Sequence, residues 1–170
     1  MRKTMFVPFR RKREGRTNYK KRLALLKSGK LRLVVRNSLK NVWIQIVEYH
    51  DDGDKVLMTV HSRELKKYGW TGYLKNLPAA YLTGLLCGLK AKKQGLNGLV
   101  LDAGLKRLVK GNITYGALKG VVDSGLDIAH GEGIFPSDER IQGKHISDNI
   151  VKNFNEVKDK ITKGAQWDVK

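Results

Sequence analysis

The chain has 170 residues, with 34 Lys and Arg against 16 Asp and Glu, a formal net charge of +18 and a pI near 10.1. A hydrophobic content of 41% supports one folded domain, and no apolar run reaches the roughly 18 residues of a membrane span, so the chain reads as soluble and intracellular, without a membrane partner. A single cysteine, Cys87, excludes a disulfide framework, and the four histidines lack metal-ligand spacing, so no metal or other cofactor is assigned.

Residues 1–15 are basic and aperiodic, and alone they are expected to be disordered. Residues 1–40 hold 15 of the 34 basic residues and one acid, Glu14, which concentrates +14 of the +18 in less than a quarter of the chain. From Thr17 the pattern turns helical: Tyr19, Leu23 and Leu26 form a stripe expected to dock on the body, and Gly29 can stop the helix. Three strands follow, in Arg32–Arg36, Val42–Val47 and Val56–Val60, with turn-rich connectors that predict an antiparallel meander. Lys66–Leu77 reads as a loop rich in Gly, Lys and aromatics. Pro78 opens a helix whose stripe is Leu82, Leu85, Leu86 and Leu89, with Gly84 and Gly88 allowing close approach to the sheet and Cys87 buried as a small hydrophobe. Leu99–Leu101 is a continuously apolar strand expected to pair in parallel. A second helix carries Tyr115, Leu118, Val121 and Val122 inward and ends at Gly125. Residues 126–146 read as irregular, and from Ser147 the positions Ile150, Val151, Phe154, Val157 and Ile161 predict a terminal amphipathic helix. The division is a basic arm (1–15), an α/β body with a mixed sheet and packed helices (16–146), and a C-terminal helix with its tail (147–170), where Trp167 lies.

Three enzymatic readings are weak. In His61-Ser62-Arg63-Glu64 neighbouring side chains on a strand point to opposite faces, so they do not form a converging triad. A metal-dependent RNA-processing nuclease could use Glu48 and Asp102 at strand ends, but no motif positions a third carboxylate. The glycine clusters match no phosphate-binding fingerprint. The chain reads as a non-enzyme.

Arg10, Arg11, Lys12, Arg13, Arg16, Lys20, Lys21 and Arg22 form a single-signed run suited to neutralising many phosphates. RNA fits better than DNA, because no groove-reading motif is present and unpaired bases could stack on Phe9, Tyr19, Trp70 or Tyr73. For Tyr19 core packing and stacking both remain open, and Trp43, on a strand, is assigned to packing.

Four strings are recognisable: Phe9–Tyr19, Arg22–Gly29, Pro78–Leu86 and Phe135–Ile146. In this order they closely resemble the large-ribosomal-subunit protein eighteen family in its archaeal form. The resemblance implies a ribonuclease H-like arrangement without catalysis. It also implies binding to 5S rRNA and to large-subunit rRNA in the central protuberance, beside neighbouring large-subunit proteins on the cytoplasmic ribosome. Carried over by position, the arm and first helix form the RNA-binding element, with Arg32, Arg36, Trp70 and Tyr73 as secondary candidates. The chain departs from the family pattern at Arg16 and Asn18, where Lys and Asp are frequent, and in Ala103–Gly111, which lacks the expected prolines. Leu77 stands where a small polar residue is common, so the helix after it is expected to lack a side-chain cap.

Overall fold

A computed structural model describes residues 6–164, so Trp167 and the first five residues of the arm lie outside the described residues. Strands β1 (Leu31–Asn37), β2 (Val42–Glu48), β3 (Lys55–His61) and β4 (Leu99–Asp102) form one sheet in the order β3-β2-β1-β4. The first three make the antiparallel meander expected from their alternation, and β4 runs parallel to β1. Because strand side chains alternate between faces, Leu33 and Val35, Val42, Ile44 and Ile46, and Met58 and Val60 share one buried face. The other face carries Arg36, Trp43, Gln45 and Thr59.

Helices cover the apolar face. After β3 a 3₁₀ segment (Ser62–Tyr68) leads toward the main helix, which returns the chain across the sheet to β4. Two short helical elements without a buried residue precede β1: α1 (Arg10–Arg13) and α2 (Tyr19–Leu26). The main helix, α3, spans Leu77–Lys93, and Asn76 caps it by accepting a hydrogen bond from the Ala79 N–H at 2.9 Å. The cap expected to be missing is thus supplied one residue before Leu77. Cys87 is buried within α3, which pushes its thiol up to about 12, consistent with a packing role.

Gly84 and Gly88 do not face the sheet as expected; they face α4 (Ile113–Asp123). A Cβ on Gly84 would run into the carbonyl of Ala117, and one on Gly120 into that of Tyr81, so the two backbones are in direct contact. Two more helices, α5 (Asp138–Gln142) and α6 (Asp148–Gly164), complete the layer, with Phe154, Val157 and Ile161 of α6 buried and the Phe154 ring 5.6 Å from that of Tyr81. Ile128, in the largely irregular stretch between α4 and α5, bridges to Leu99. Among the described residues no helix is long and apolar enough to cross a membrane.

Candidate nucleic-acid interface

The polar face of the sheet meets the arm and α2. Asn18 caps α2 by accepting from the Lys21 N–H at 3.0 Å. The helix does not dock through its apolar stripe: Tyr19 is 37% and Leu23 56% exposed, and no α2 residue is buried. Charge holds the helix instead. Arg22 places both guanidinium nitrogens on Asp54, at 2.9 and 2.8 Å, and the Lys21 ammonium donates to the Gly104 carbonyl at 3.2 Å. A bidentate Arg–carboxylate fork fixes orientation as well as distance, which a short two-turn helix needs more than a few half-covered leucines.

Asp54 also holds Arg32. Nη2 of Arg32 lies 2.7 Å from Asp54 Oδ2, an ion pair outside hydrogen-bonding angles, and Nη1 donates to Asp102 Oδ2 at 3.2 Å. The second Asp102 oxygen accepts from the Gly104 N–H at 2.8 Å. Hydrogen bonding to Arg22 lowers the Asp54 pKa against the opposing effect of burial, and the same bond raises that of Arg22. Arg32, at 3% exposure, is therefore an internal cation that organises the face. The structure corrects its assignment as a phosphate contact: the guanidinium is almost wholly withdrawn from solvent and already paired with two carboxylates, so its charge contributes to the cleft from below rather than as a free contact.

A cleft of about 560 Å³ lies between arm, α2 and sheet, and its lining includes seven cationic side chains against two anionic ones, Asp54 and Asp102. Both acids are committed to Arg22 and Arg32, so the field inside the cleft remains positive. Arg36 is exposed, without a carboxylate partner among the described residues, and its guanidinium lies over Gly104, whose φ of +61° and missing Cβ make room for it. Lys106 donates to the Asn37 carbonyl at 3.2 Å, and its pKa is lowered by burial, then by the nearby charges of Lys75 and Arg36. An anion among these three cations would relieve their mutual repulsion. Sequence reading missed Lys75 and Lys106, because the elements carrying them converge only in the folded chain.

In the arm, the expectation of disorder meets a single helical turn, with the Phe9 ring 5.8 Å from Tyr19 and no buried residue in α1. Glu14 lies 3.6 Å from Arg10 and 3.0 Å from Arg16, and Arg11 donates to the Thr17 hydroxyl at 2.8 Å. Lys12, Arg13 and Lys20 are exposed, and among the described residues they meet no carboxylate.

The loop aromatics separate. Tyr73 is 56% exposed, its hydroxyl donating to the Leu39 carbonyl at 2.8 Å. Trp70 is 3% exposed and belongs to the core, which corrects its assignment as a stacking surface. Gly69 ends the 3₁₀ segment at φ +90°, and Asn153 of α6 clamps the loop by donating to the Gly69 carbonyl and accepting from the Thr71 N–H, so the indole turns inward. Trp43, assigned to packing, is 44% exposed.

The groups considered for catalysis are engaged elsewhere. Glu64 accepts from the His61 N–H at 3.0 Å, the His61 ring accepts from the Arg63 N–H at 2.9 Å, and the buried Ser62 hydroxyl accepts from the Val42 N–H at 3.1 Å. Together they form a cap and a strand-end contact. Asp102 is tied to Arg32, while Glu48 lies 3.2 Å from His50. Among the described residues no three His, Cys, Asp or Glu side chains are grouped to hold a metal ion.

Two comparisons bear on this face. The family described as ribosomal large subunit proteins 60S L5 and 50S L18 matches residues 3–99, which include most of the arm, α2, the meander and all of α3. The chain is also 52% identical over 150 residues to large ribosomal subunit protein uL18 of Methanococcus maripaludis, an alignment covering 88% of this chain and 75% of that protein.

Proposed function

The chain belongs to the family of ribosomal large subunit proteins 60S L5 and 50S L18 and is thus a structural constituent of the large ribosomal subunit; we propose that within it the chain binds 5S rRNA and attaches it to large-subunit rRNA, without catalysis. The observation that carries this reading is the cleft over the polar face of the sheet, where the two acids among the described lining residues, Asp54 and Asp102, are neutralised internally and the remaining charge is positive. Such a surface is suited to a polyanion.

In this reading Lys12, Arg13 and Lys20 neutralise phosphates first, since among the described residues no carboxylate partner must be displaced. Arg10, Arg11 and Arg16 follow, exchanging weak exposed contacts, worth about 0–1 kcal/mol each, for phosphates. Arg22 and Lys21 keep α2 on the sheet, so that the arm enters RNA from a fixed platform. Phosphate contacts provide register, and RNA shape with a few unpaired bases provides specificity.

Deleting residues 1–15 tests the reading. No buried residue lies among residues 6–15, so the circular dichroism of the body should persist while affinity for 5S rRNA falls steeply. With six to ten phosphates engaged, intact-chain affinity should drop roughly 10³- to 10⁵-fold between 50 and 200 mM salt. Undiminished affinity after the deletion would sink the role of the arm. Cleavage of 5S rRNA in Mg²⁺ that disappears in Glu48→Gln would instead favour a nuclease.

A further inference from the structure

We propose that the row Arg36–Trp43–His61 on the polar face of the sheet is a stacking platform for an unpaired nucleobase of ribosomal RNA. The proposal rests on the reading of the chain as an rRNA-binding protein and adds a base-contacting site outside the arm. Strand register makes the row: Arg36 of β1 lies opposite Trp43 of β2, which lies opposite His61 of β3. Directly opposed strand residues project from the same face, so the three side chains stand side by side.

The aromatic pair is close and half open. The Trp43 and His61 rings are 4.9 Å apart at 59°, and Trp43 keeps 44% of its surface in solvent. The Arg63 N–H donates to Nδ1 of His61, which fixes Nδ1 as an acceptor and leaves the proton of the neutral ring on Nε2. Burial and the charge of Arg63 lower the His61 pKa, so at neutral pH the pair is an uncharged surface that also carries one N–H donor.

Charge complementarity selects the occupant. Arg36 flanks the pair on one side, with Lys106 near it and Lys75 near Lys106, and Arg63 follows His61 on the other. Glu64, the acid nearest in sequence, touches the site only at the His61 backbone N–H and opposes the lowering of the His61 pKa, and Lys90 at 2.7 Å balances its charge. Flat aromatic rings between cations match a nucleotide, whose base has a π face and whose phosphates are anionic. Arg36 also lines the basic cleft, so the platform adjoins the surface where the arm and α2 meet the sheet.

The test uses the full chain and two probes, 5S rRNA and protein-free large-subunit rRNA, each titrated at several salt concentrations. Trp43→Ala should weaken binding to at least one probe by roughly 5- to 100-fold, as expected for loss of base–aromatic stacking, with the salt slope unchanged. Trp43→Phe should retain most of the affinity. Arg36→Gln should instead reduce the salt slope by about 0.7–0.9, the signature of one lost phosphate. Equal affinity of Trp43→Ala and wild type for both probes overturns the platform and assigns the row to a protein neighbour, while leaving the rRNA-binding reading intact. Failure of the wild-type chain to bind either probe overturns both. Should Trp43→Ala fail to fold, ultraviolet cross-linking of the wild-type complex decides: a nucleotide adduct on Trp43 or His61 supports the platform, and adducts confined to the arm and α2 overturn it.

Discussion

Asp54 sits in a connector that reads as an ordinary hairpin turn, yet it holds two arginines from two different elements. Replacing it with Asn keeps the shape and removes the charge, leaving Arg32, at 3% exposure, with Asp102 as its one remaining carboxylate. Asp54→Asn should cost about 1.5–3 kcal/mol in urea denaturation, the range for hydrogen bonds to charged groups. The pH dependence has a definite sign. Asp54 has a lowered folded-state pKa, so the unfolded chain binds the extra proton and stability rises with pH. Its contribution is complete above the unfolded carboxylate value near 3.9 and is lost as pH falls through the lowered folded value. Wild type should therefore lose stability in acid more steeply than Asp54→Asn, and parallel acid profiles would show that Asp54 does not carry this contact. Nothing in the local sequence marks Asp54, because its partners lie 32 and 22 positions away and become neighbours only when β3 pairs and α2 folds back.

At the scale of elements, the meander, α3, α4 and α6 were legible because each repeats its apolar residues at the period of its own backbone. The partners of each face were less legible. The spacing of the glycines of α3 predicts contact with the sheet, whereas the contact they permit is with α4, since a bare helix surface fits equally well against a sheet or against another helix. Gly84→Ala should force the α3 and α4 backbones apart and destabilise the protein by about 3 kcal/mol, at the upper end for overpacking. Gly95→Ala is the comparison: its φ is +69° with no atom near the added Cβ, so only backbone strain of about 1 kcal/mol is expected. Similar urea midpoints for the two variants would rule out the close helix contact. The failed docking stripe of α2 has a similar origin, because a short helix with Tyr19 and Leu23 on one side has little apolar area to bury, and the Arg22–Asp54 fork orients it differently.

For the whole molecule, the +14 at the front end divides into cations that hold the structure and cations that stay available. Arg22 and Arg32 belong to the first group and Lys12, Arg13 and Lys20 to the second. Neutralising those last three together as Gln should leave the melting temperature unchanged and lower the salt slope of 5S rRNA binding by about 2–3, roughly 0.7–0.9 for each lost phosphate. A fall in melting temperature would mean that they pair within the protein. The sequence by itself determined the strand meander, the main helices and the concentrated positive charge of the front end. Those depend on local period and summed charge, which need no knowledge of neighbours. Only the tertiary structure decided that Trp70 is core and Trp43 surface, that Arg32 is internal, and that Lys75 and Lys106 join Arg36. Exposure of a side chain depends on which distant element covers it, and the field at any point sums charges that only the fold brings together.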